Sequence, residues 1–125
     1  MVDGRAATSA VRGETHRNEI LVVGRLPACA TERELPSGDV VLTWRLVVDR
    51  PPRQRKGPEG AKEAHVDTLD CAGWLPGVRR LAAGWELGDI VLVEGALRRR
   101  FWRSPGGVTS RYEIEVMKAK RLARA

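Results

Sequence analysis

The densest chemistry in this chain lies in one run, Arg98-Arg99-Arg100-Phe101-Trp102-Arg103, with four arginines, two aromatic rings and no acid. Guanidinium groups grip phosphate through paired N–H donors, and aromatic rings stack on flat heterocycles. The mixture suits a polyanion that carries bases. In a β-strand alternate residues share a face. Arg98, Arg100 and Trp102 then point one way, and Arg99 and Phe101 the other. A second strand-like run sets Thr43, Arg45 and Val47 on one face and Trp44, Leu46 and Val48 on the other. The apolar set belongs to a core, so Trp44 packs and Arg45 points to the ligand. Arg25 and Arg103 are further candidates, and a basic segment with Arg53, Arg55, Lys56 and Lys62 could close over a bound strand.

Catalytic and metal chemistry are not expected. His16, Cys29, His65 and Cys71 form no CxxC pair. His65 and Cys71 are six residues apart, roughly 20 Å along an extended strand, too far for one ion. There is no Walker or dinucleotide glycine motif, and Gly106-Gly107 is too short to cradle phosphate alone. No Ser/His/Asp set can be assembled. The sequence therefore points to a binding protein with no cofactor and no enzyme activity.

Charge supports that reading through its placement. The 125 residues hold 22 Lys+Arg against 16 Asp+Glu, a net charge of +6, and the pI is about 10.1. Bases concentrate at 50–62, 98–103 and 118–124, while 65–95 is mainly acidic. Clustered positive charge is the footprint of a nucleic-acid surface. With 18 arginines against 4 lysines, forked phosphate contacts and stacking are favoured. No apolar run reaches the ~20 residues of a membrane span, and no signal-peptide pattern opens the chain. Two cysteines make no disulfide framework. The expected address is the cytoplasm, with the nucleoid.

These groups need a scaffold. Residues 1–17 carry no apolar period and read as a tail, with one domain over 18–120 and a short tail at 121–125. Strands are expected at Ile20–Leu26, with a bulge or bend at Gly24, then at Val40–Asp49, His65–Gly73, Ile90–Trp102, bent at Gly95, and Arg111–Lys118. Pro27 to Ser37 reads as a connection, Arg50 to Ala64 as a long loop, and Trp74 to Trp85 as a helix with Leu75, Val78, Leu81 and Ala82 on one stripe. Trp74 and Trp85 flank it as core or interface residues. The order gives an all-β fold, a five-stranded OB-fold barrel with one helix between strands 3 and 4.

Four blocks in this order resemble the bacterial single-stranded DNA-binding protein family. They are Asn18-Glu-Ile-Leu-Val-Val-Gly-Arg-Leu26, Val40–Arg50, Val93-Glu-Gly-Ala-Leu-Arg-Arg-Arg-Phe-Trp102, and Arg111-Tyr112 with its alternating strand. The resemblance implies a homo-oligomer, tetrameric or dimeric, that binds single strands with little sequence preference in replication, recombination and repair. It puts a stacking tryptophan at Trp102. It also exposes departures. Val66, Thr68, Asp70 and Ala72 would line the binding face, yet the sites of Val66 and Ala72 lack the family's frequent aromatics. Another family aromatic falls near Pro52, and the family often has His near Asp67, at its oligomer contact. Asp70 would repel phosphate. Weaker binding and steep salt dependence are expected. Many members end in an acidic, apolar tip, whereas this sequence ends Arg121-Leu-Ala-Arg-Ala125, so a shortened form or a tail-less paralogue stays open. The rival readings are an OB-fold protein-interaction module and an RNA binder on the same surface.

Overall fold

The computed structural model describes residues 14–52 and 65–125. Among these residues six strands and a helix follow in the order β1 (Ile20–Arg25), β2 (Thr31–Glu34), β3 (Val40–Asp49), β4 (Val66–Gly73), α1 (Pro76–Ala83), β5 (Ile90–Ser104) and β6 (Gly107–Ala123). The sheet order is β1-β5-β6-β4-β3-β2, and β1 also meets β3 at Arg25↔Val47. That pairing closes five strands into a barrel, which removes the open sheet edge that would otherwise invite aggregation. β2 is appended outside the ring along β3.

β2 is the element the sequence pattern hides. Its Thr-Glu-Arg-Glu is exposed at every position, so it has no apolar alternation to reveal a strand. With β2 counted, the helix lies between the fourth and fifth of six strands. The helix is also shorter than the expected 74–85. Leu75 serves as N-cap, Pro76 opens the first turn, and Gly84 closes the last. Proline fits there because its missing N–H would be unpaired anyway.

The core explains the strand pattern. Leu42, Trp44 and Leu46 of β3, Val91 and Val93 of β5, and Ile114 and Val116 of β6 fill the barrel, with Val78 and Ala82 of α1 sealing one side. Trp44 packs edge-on to Trp85, with ring centroids 5.2 Å apart and planes at 88°, a favoured aromatic geometry. Two glycines allow close backbone approach. A Cβ at Gly24 would lie 2.9 Å from the Val47 carbonyl oxygen, at the β1–β3 closure. A Cβ at Gly95 would overlap the Glu115 carbonyl, and the β5–β6 register shifts between Glu94 and Gly95. Gly95 thus marks the bulge that bends β5.

β5 and β6 stay paired from Ile90↔Ala123 to Ser104↔Gly107, turning through Pro105-Gly106 alone. From Leu97 outward β5 is largely exposed, so a ribbon of roughly 20 Å projects beyond the barrel. At the other end β6 continues through Ala123, past the residue-121 start expected for a tail, and Ala125 donates its backbone N–H to Asp89 Oδ1 at 3.0 Å. Asp89 is 2% exposed and also accepts the Glu86 N–H at 2.9 Å and Arg121 at 3.5 Å. The Glu86 and Ala125 N–H groups, ahead of Arg121, hold its carboxyl below the usual range.

Candidate nucleic-acid interface

One open groove of about 1040 Å³ runs between the barrel wall and the ribbon. β3 contributes Thr43 and Arg45 to it, β4 contributes Asp70 and Ala72, and the ribbon contributes Arg100, Phe101, Trp102, Arg111 and Glu113. Trp74, just before α1, and Arg33 of β2 complete the wall. Strand alternation aims these side chains. The turn sets Arg100 opposite Arg111 and Trp102 opposite Thr109, so all four lie on the groove side of the ribbon.

The arginines are held by carboxylates. Arg45 lies directly across the β3–β4 ladder from Asp70 and donates from Nε to Oδ1 at 3.1 Å. Arg111 Nε is 4.0 Å from the other oxygen of Asp70. Arg100 pairs with the nearly buried Glu113 and sits 5.1 Å above the Trp74 ring. Arg111 lies 5.6 Å over the Trp102 ring. Asp70, read from sequence as a simple repellent, is thus a shared anchor for two cations. The parallel β4–β6 pairing, Cys71↔Ile114, brings these elements together. Four arginines and two carboxylates line the groove, an excess of two positive charges.

Trp102 is 44% exposed. Its indole therefore has a free surface, steadied by Arg111, and can accept a flat ring in the manner of a stacking platform. The other tryptophans divide. Trp44 and Trp85 are core residues, Trp44 also reaching the groove floor, whereas Trp74 forms groove wall.

Thr43, Arg45, Arg100 and Trp102 are brought together as expected from the sequence. Three expected contacts are not. Arg98 shares the groove-side face of β5 but is drawn to Glu115 at 3.3 Å and borders a separate depression beside Asn18 and Glu94. Arg25 stands at the β1–β3 closure, 3.9 Å from Asp49. Arg103 follows Trp102 and so faces the opposite side of the ribbon, paired with Val108. Arg53, Arg55, Lys56 and Lys62 lie outside the described residues. Arg33, Trp74 and Arg111, which the sequence does not single out as contacts, also line the groove. Arg111 had a usable signal: a two-residue turn at Pro105-Gly106 sets it opposite Arg100. Arg33 had none, because β2 lacks a strand signature.

Among the described residues no group of three His, Cys, Asp or Glu is arranged to hold a metal. Cys71 is buried, and desolvation pushes its thiol up to about 12, while Cys29 is exposed. No helix among the described residues is long and apolar enough to cross a membrane.

Residues 17–122 match the Single-strand binding protein family. A Single-stranded DNA-binding protein of Thermotoga maritima is 36% identical over 90 residues, 72% of this chain and 62% of the relative. Single-stranded DNA-binding protein 3 of Streptococcus agalactiae is 31% identical over 90 residues, again 72% and 62%. The match thus spans about 62% of these relatives' length. Among solved structures, a Plasmodium falciparum SSB complex with ssDNA superposes with a TM-score of 0.69 at 21% identity, covering 90% of this chain and 98% of the other. That likeness establishes the shared OB-fold.

Proposed function

The chain belongs to the single-strand binding protein family, and on that premise we propose that it binds single-stranded DNA without catalysis and with little sequence preference. The observation that carries the reading is the half-exposed Trp102 indole, capped by Arg111 and set in one groove with Arg45 and Arg100. Incoming phosphates take the guanidinium donors that Asp70 and Glu113 hold in the free protein. An unpaired base lies on Trp102, and any base can do so because each has a π-face. The groove arginines make up for the aromatics absent at Val66 and Ala72. The same reading makes the protein a homo-oligomer on chromosomal DNA in the cytoplasm.

Quenching of intrinsic tryptophan fluorescence by oligo-dT tests it. Trp74 and Trp102 line the groove, the buried Trp44 borders it from the core, and Trp85 lies away from it, so quenching at saturation should be partial. Trp102→Ala should weaken binding about tenfold or more at ~0.2 M salt and lower the maximal quench. Equal affinity for wild type and variant would remove the stacking role.

A further inference from the structure

The two faces of the β5–β6 ribbon differ in charge. The groove-side face carries Glu113 and Glu115, tied to Arg100 and Arg98. On the opposite face, from Leu97 outward, β5 presents Arg99, Phe101 and Arg103, and β6 presents Val108, Ser110 and Tyr112, with Phe101 also bordering the groove. There is no carboxylate among them. Phe101 is 61% exposed and Tyr112 57%. The Arg99 guanidinium lies 5.0 Å from the Phe101 ring centroid and 5.4 Å from that of Tyr112, and it is steadied by the Ser110 hydroxyl at 3.1 Å. Among the described residues neither Arg99 nor Arg103 has an acidic partner.

We propose that this outer face of the ribbon is a second single-strand contact surface, on which Phe101 and Tyr112 stack bases while Arg99 and Arg103 take phosphates. The inference rests on the reading of the groove and extends it, since the strand would leave Trp102, cross the ribbon's edge and continue on the far side. Three observations select a nucleic-acid strand as the occupant. The face repeats the arginine-on-ring chemistry of Arg111 and Trp102. It lies one residue from Trp102 along β5 on either side, so the two surfaces are continuous. Its uncompensated arginines suit a polyanion, whereas a symmetric contact with a second copy would bring arginines toward arginines.

The test uses the full chain and dT oligomers of about 6 and about 16 nucleotides, within the span of OB-fold site sizes. Wild type should bind the longer oligomer more tightly than the shorter. Tyr112→Ala, which leaves the groove lining untouched, should weaken the longer one about tenfold and change the shorter one less than about twofold. Arg99→Ala should reduce the salt slope on the longer oligomer alone by about 0.7. All four rings and cations are surface groups, and thermal melts of the variants should match wild type. Wild type that gains nothing from the longer oligomer, or Tyr112→Ala equal to wild type on it, overturns the outer surface and leaves the groove standing. A variant that lowers the solution mass of the free protein also overturns it, because the face would then join copies of the chain. Wild type that binds neither oligomer overturns the groove reading and this one together.

Discussion

Replacing Asp70 by Asn should tighten DNA binding. The substitution is nearly isosteric and keeps a carbonyl oxygen for Arg45, but it removes the charge now shared between Arg45 at 3.1 Å and Arg111 at 4.0 Å. A phosphate seated on the outer side of either guanidinium would lie ~7 Å from the carboxylate. At that distance two unit charges repel by ~0.6–1.2 kcal/mol for an effective dielectric of ~40–80, and screening at ~0.1 M salt halves this. With one phosphate on each arginine the relief is ~0.6–1.2 kcal/mol, or about threefold to eightfold in affinity. The cost to folding should stay below ~1 kcal/mol, as for other surface ion pairs. Anisotropy titrations with oligo-dT from ~0.05 to ~0.4 M salt would show the gain at the low end and its decline as screening grows. If Asp70→Asn binds no tighter than wild type at ~0.1 M salt while its melting temperature is unchanged, phosphate does not reach Arg45 and Arg111, and the groove is wrongly assigned.

Two glycines should respond to alanine with opposite signs. Gly95→Ala forces a Cβ into the Glu115 carbonyl and should cost about 3 kcal/mol, lowering Tm by about 10 °C. Gly77→Ala, in α1 with open space around it, should stabilise by about 0.5–1 kcal/mol. Thermal melts decide both, and a neutral Gly95→Ala would refute the bulge geometry. A thiol reagent at neutral pH should modify one cysteine per native chain, Cys29, and a second, Cys71, only in denaturant, because burial keeps the Cys71 thiol protonated up to about 12. The Asp89 clasp has a definite pH sign. Its carboxyl sits below the usual range in the folded protein. Its stabilisation is therefore full above about pH 4 and is lost as pH falls through the lower folded value. Melts of wild type and Asp89→Asn should differ at pH 7 and converge toward pH 2, and a gap that persists at pH 2 would refute the assignment.

Local pattern was enough for much of this molecule. β1, β3 and β5 announce themselves through β-branched and aliphatic runs, and β6 through the alternation of Tyr112, Ile114 and Val116 with two glutamates. Each signal is local, because a strand that buries one face must place apolar residues at every second position. The same period put Trp102 and Arg100 on one side of the ribbon and Phe101 and Arg99 on the other. Tertiary structure alone decided the charges around them. Asp70 meets Arg111 because β4 pairs with β6 in parallel at Cys71↔Ile114, a contact more than forty residues apart that no local period encodes. Arg98 is lost to Glu115 through a diagonal neighbour on the next strand, and Arg33 is gained through a strand with no buried side chain to betray it. Backbone periodicity says which way a side chain points; which charge waits for it there depends on how the barrel closes.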